Sequence, residues 1–196
     1  MTRALRVTPV ALATVTALAL AACGGDDAGG LSPDLVDQRQ TTTTDPDEAA
    51  TEGARTRVVQ WVDGRNTILA SPESYRSTAS IGFAEGRASS ALIAEAGRLD
   101  IKGQRREGTT EIVGELKVTK IELEPKPKNG VAISPFVEMR ACLDESGTSL
   151  VKESGGSVAG STGRGARPMK FHVSNGSYPN PDSWMVSWTQ EVKGHC

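Results

Sequence analysis

Few side chains in this sequence could act as a general acid or base. Glu138 and Asp144 belong to one predicted strand, His172 to another, and Tyr75 stands apart from both. Such groups do proton chemistry when they reach a substrate and have a tuned pKa. Their spacing points elsewhere. Glu138, Arg140, Cys142 and Asp144 share one face of their strand, and Lys170, His172 and Ser174 share one face of theirs. Apolar residues alternate with them, so the polar sets are expected to face solvent and the apolar sets a layer of helices.

Other chemistries find less support. Metal ligation needs three or four closely arranged ligands, and the histidines are only His172 and His195. The Gly-rich stretch Gly155 to Gly163 lacks the Gly-Lys-Ser/Thr ending of a phosphate-binding loop and reads as a flexible connection. Lys102, Arg105 and Arg106 are followed at once by Glu107 and Glu111, which predicts a solvated turn rather than a nucleic-acid patch. Trp61, Tyr75 and Trp188 are the residues that could line a ligand pocket. For Trp61, Trp184 and Trp188, however, the spacing favours ordinary core packing. No metal site and no cofactor is expected.

These residues need elements to hold them. A helix is predicted from Asp45-Pro46-Asp47-Glu48, with Asp45 as cap, Pro46 at the first helical position and Glu48 where a capping-box partner belongs. Ala50, Ala54, Val58, Trp61 and Val62 then form an apolar stripe, which reaches Ile68 and Leu69 before Ser71-Pro72 ends it. A weaker helix is predicted over Arg87 to Leu99. Strands follow. Ile112, Gly114, Leu116 and Val118 alternate before the apolar phase switches to Ile121 and Leu123, the mark of a β-bulge. Val131 to Leu143 alternate on odd numbers, with Pro135 implying an edge or bulge. Thr148 to Lys152 is a short strand, Arg167 to Val173 another, and Trp184, Val186, Trp188 and Val192 close the series. Helices first and an antiparallel meander afterwards make an α+β domain.

The amino-terminal residues differ from all of this. Arg3 and Arg6 precede an uncharged run from Val7 to Leu20. Fourteen helical residues span about 21 Å, short of the roughly 30 Å hydrocarbon core, so the run reads as an export signal rather than a membrane span. Leu20-Ala21-Ala22-Cys23 resembles the lipobox of bacterial lipoproteins. That resemblance implies cleavage after residue 22, a diacylglyceryl thioether on Cys23 and acylation such as palmitate. Two buried chains anchor stably where one does not. Residues 24 to 53 hold eight acidic side chains against Arg39 and no aromatic, a composition expected to form a disordered tether over 23–46. The remaining 143 residues carry 19 basic and 16 acidic side chains and all eight aromatics. Over the whole chain, 196 residues with 37% hydrophobic content and a net charge of −2 exclude a multi-span membrane protein and argue against a general nucleic-acid binder.

Ala54-Arg55-Thr56-Arg57-Val58-Val59-Gln60-Trp61, the strand ending Cys142-Leu143-Asp144-Glu145-Ser146, and Trp184-Met185-Val186 with its terminal Cys196 resemble actinobacterial lipoproteins. Their extracytoplasmic domain is NTF2-like, a cystatin-like cone in which N-terminal helices pack on a strongly bent antiparallel sheet. The resemblance covers residues 47–196. It implies that Cys142 and Cys196 form a disulfide in an oxidising compartment while Cys23 takes the lipid. The lipobox implies a location on the outer face of the cell membrane, and the anchor and tether, without a catalytic constellation, lead to the expectation of a non-catalytic module that binds an envelope protein or a small apolar ligand. Two alternatives stand beside it: an anchored enzyme of isomerase or cyclase type, and a phage- or prophage-encoded lipoprotein of superinfection exclusion.

Overall fold

The structure is a computed structural model and describes residues 45–75 and 81–196. The expected signal peptide (1–22), the lipid-attachment residue Cys23 and nearly all of the expected tether lie outside the described residues. Helix α1 runs over Pro46–Ala70. Its start follows from three adjacent residues. Asp45 accepts the Asp47 N–H at 2.9 Å, Pro46 occupies the first turn, and Asp47 and Glu48 complement the helix dipole. The stripe Ala50, Ala54, Val58, Trp61, Val62, Ile68 and Leu69 is buried, and so is a charged residue within it, Arg65. Two glycines let other elements approach. A Cβ at Gly53 would lie 2.5 Å from the Trp184 indole, and one at Gly64 would land on the Phe83 ring.

After a 3-10 turn at Pro72–Tyr75, helix α2 spans Gly86–Ile101 and buries Ala88, Leu92, Ala96 and Leu99. Six strands follow: β1 (Gln104–Glu107), β2 (Glu111–Glu122), β3 (Phe136–Asp144), β4 (Ser149–Lys152), β5 (Arg167–Asn175) and β6 (Trp184–Glu191). Strands β2-β3-β5-β6 form an antiparallel sheet in that order, and β1 pairs with β4 in a separate ribbon. The architecture is α+β, with the helices on one face of the sheet. Val137, Met139, Ala141 and Leu143 of β3 and Met169, Phe171 and Val173 of β5 meet the α1 stripe there. A second cluster joins Ile68, Leu69 and Ile81 to Leu92, Ala96 and Leu99, with Phe83 packed against both clusters.

The register of β2 shifts between Val118 and Lys120, where the apolar phase changes, and also between Val113 and Lys117 around Gly114 at φ +78°. Three expectations need correction. Arg105 and Arg106 lie in β1 rather than a solvated turn, because the backbone of β4 pairs with a segment that has no apolar alternation of its own. The strand expected from Val131 starts only at Phe136. Pro135 precedes it, Lys128 and Val131 close a tight turn through Asn129 and Gly130, and Val131 and Ile133 are exposed. Finally, β6 does not keep one phase. Val186 opposes Val173 while Trp188 opposes His172, so Ser187 is the extra residue of a bulge. Trp184 and Val186 point to the helices, whereas Trp188 turns to the other face.

Candidate functional site

Between α1, α2 and the sheet lies a cavity of about 150 Å³. Trp61, Ala88, Leu92, Leu143 and Met169 give it apolar walls, and Arg65, Glu95, Glu145 and Arg167 close one side with charge. Local periodicity places each of these. Arg65 follows Trp61 by one helical turn, Glu145 carries the inward phase of β3 one residue past its end, two after Leu143, and Arg167 precedes Met169 by two in the inward phase of β5.

Glu145 organises the charged side. Its Oε1 lies 2.9 Å from Arg65 Nη1 and 3.1 Å from Arg106 Nη1, and its Oε2 accepts from Arg167 Nη2 at 2.8 Å. Glu95 takes the remaining reach of Arg106 at 2.8 Å and of Arg65 at 3.3 Å. Arg167 also pairs with Glu191 at 2.8 Å. Side-chain exposures of 9% for Arg65 and 7% for Glu145 make this a desolvated network rather than surface decoration. Arg65 also donates to Thr110 Oγ1 at 3.0 Å, and the Thr110 backbone exchanges two 2.9 Å hydrogen bonds with the Asn66 side chain. Beyond the network, a polar cleft of about 370 Å³ opens beside Ser161, Thr162 and Arg164. The same arginine–glutamate layer walls both spaces.

Burial works against ionisation of Glu145, but the guanidinium groups of Arg65, Arg167 and Arg106 outweigh it and hold the carboxyl below its usual range. Burial lowers the pKa of Arg65, while Arg167 is raised despite its own burial by hydrogen bonds to Glu191 and Glu145. Two donors in this neighbourhood, Trp61 Nε1 and Arg167 Nε, are buried without a hydrogen-bond partner among the described residues.

The residues singled out in the sequence are not assembled into one site. Trp61 lines the cavity and meets Phe171 edge-on at 5.6 Å. Tyr75 packs on the second cluster. Trp188 lies on the opposite face of the sheet, where it stacks on His172 at 5.2 Å. Glu138 and His172 are on that face too. Burial lowers the His172 pKa, and its Nδ1 is 2.9 Å from Ser187 Oγ. Asp144 accepts the Ser146 N–H at 2.8 Å, which holds its carboxyl below the ordinary range. Cys142 and Cys196 sit at disulfide distance with Cα atoms 5.6 Å apart. Among the described residues no three His, Cys, Asp or Glu side chains are grouped to hold a metal ion, and no helix is long and apolar enough to cross a membrane. Sequence reasoning missed Arg65, Glu95, Arg106, Glu145 and Arg167 as a group. The available sign was a charged residue standing in the apolar phase of its element, true of Arg65, Glu145 and Arg167.

No protein-family model matches the sequence, and no curated protein matches it. Among solved structures, the intermembrane space region of chloroplast protein ARC6 aligns over 72% of this chain and 97% of that one. Its identity is 14% and its TM-score 0.43, a likeness that establishes neither a shared fold nor an activity.

Proposed function

We propose that this chain is a lipid-anchored, extracytoplasmic binding module with an NTF2-like domain, held to the cell membrane through Cys23, whose cavity receives a small, largely apolar ligand. The cavity beside Trp61 carries the reading. Its 150 Å³ is the size that accommodates a benzene-like molecule in an apolar site. The carboxylate at its edge, Glu145, is shared among three guanidinium groups. A carboxylate so held stays ionised near neutral pH and does not act as a proton-transfer group, which favours binding over isomerase or cyclase chemistry. Bulges in the sheet, helices on one of its faces and a cysteine pair suited to an oxidising compartment support the domain and its location.

Two experiments test this. Cys23→Ala should move the folded protein from the membrane to the soluble fraction, and continued membrane retention would remove the anchor from the proposal. Benzene and indole should raise the melting temperature saturably, and Leu92→Trp, which fills the cavity, should abolish that rise. An equal rise in both proteins would place binding outside the cavity.

A further inference from the structure

The cavity between the helices and the sheet has a chemical feature that its apolar walls do not explain. Trp61 is 6% exposed, and its single donor, Nε1–H, is buried without an acceptor among the described residues. Phe171 meets the indole edge-on at 5.6 Å, but a ring face is at best a weak acceptor. Arg167 repeats the pattern. Its Nη1 and Nη2 donate to Glu191 and Glu145 at 2.8 Å, while Nε is buried and unpaired among the described residues. Buried N–H groups nearly always have an acceptor, because a donor left without one bears its full desolvation cost. Both side chains are walls of the same cavity of about 150 Å³. An acceptor brought into that space is the group the described residues do not provide.

The charge on the walls selects the kind of acceptor. Arg65 and Arg167 line the cavity together with Glu95 and Glu145, two of each sign. Each of these guanidinium groups already has its carboxylate: Arg65 that of Glu145 at 2.9 Å, and Arg167 those of Glu145 and Glu191 at 2.8 Å. Arg106 and Glu191 join the network with one charge of each sign, and Arg164, which pairs with Glu191 at 3.5 Å, is 69% exposed. A ligand carboxylate would leave water to face Glu95 and Glu145, with the opposing cations already engaged. An uncharged oxygen avoids that cost.

We propose that the ligand of this cavity is an uncharged molecule with a compact hydrocarbon body and one hydrogen-bond-accepting oxygen. The body packs on Ala88, Leu92, Leu143 and Met169, and the oxygen accepts from Trp61 Nε1, with Arg167 Nε as the second donor. This rests on the cavity being a ligand site and adds the group that the ligand must carry.

The test compares cyclohexanone with methylenecyclohexane, the same ring with a CH2 group in place of the oxygen, by titration calorimetry on the full, unacylated chain. The ratio of the two affinities cancels what the hydrocarbon body contributes. Trp61→Phe keeps a ring and removes the donor, so the ketone-to-alkene ratio should fall about tenfold. Leu92→Trp should abolish binding of both. In the wild-type protein the Trp61 indole proton, assigned through its contact with Phe171, should move downfield with cyclohexanone and not with methylenecyclohexane, a readout that needs no variant. An unchanged ratio, or an indole proton that responds alike to both molecules, would overturn the proposal while leaving the cavity a ligand site. Tighter binding of cyclopentanecarboxylate than of cyclohexanone would overturn it too, by showing a charged acceptor. Binding of neither ring would remove the ligand site itself, and this proposal with it.

Discussion

Replacing Glu145 by Gln should destabilise the domain by about 3–5 kcal/mol at neutral pH, the usual consequence of removing one partner from a buried ion network. The magnitude follows from what stays behind. Arg65, 9% exposed, would keep one carboxylate, Glu95 at 3.3 Å, besides its bond to Thr110, and Arg106 and Arg167 would face a neutral amide in place of the carboxylate now 2.8–3.1 Å away. For a domain of this size that is about 10 °C in melting temperature. The loss must also depend on pH. The folded-state pKa of Glu145 is lowered from 4.5, so its contribution is complete above that value and disappears as pH falls through the folded pKa. Urea unfolding of wild type and Glu145→Gln should accordingly give curves far apart at neutral pH that converge well below pH 4.5. A neutral-pH difference under about 1 kcal/mol, the worth of an exposed pair, would refute the reasoning. So would a difference that persists on acidification.

Further outcomes follow from single contacts. Gly64→Ala should destabilise by about 1–3 kcal/mol because its methyl meets Phe83, whereas Gly97→Ala in α2, with open space around it, should stabilise by about 1 kcal/mol; urea midpoints distinguish them. Reducing the Cys142–Cys196 bond, which closes a separation of 54 residues, should lower stability by up to about 4 kcal/mol, read from unfolding with and without reductant. His172 should titrate below 6.5 in an NMR pH series, so stability is complete above that value and falls as the ring is forced to protonate. A titration at or above it would contradict the burial described for the ring.

How much of this was legible depended on the range of the interaction. The α1 start needs only Asp45, Pro46 and their neighbours, and the phase change in β2 is visible within a few residues. Strand β1 exists because β4 pairs with it across more than 40 residues, which no local pattern records. The bulge at Ser187 carries no glycine or proline to announce it, yet it sends Trp188 to the opposite face from Trp184. The ion network was half legible. Arg65, Glu145 and Arg167 each occupy the apolar phase of their element, and a charge there needs a buried partner. Which partner each takes, and that Glu95 and Arg106 join them, required the tertiary packing of five elements.

The position of the last cysteine bears on the order in which the molecule can be completed. Cys142 is synthesised 54 residues before its partner Cys196. Through that interval its thiol can meet that of Cys23, and such a pairing would tie residue 23 to β3. Acylation of Cys23 would remove the competitor before Cys196 arrives. A modification proposed for attachment would then also act as a chaperone of pairing, keeping the Cys142 thiol for Cys196.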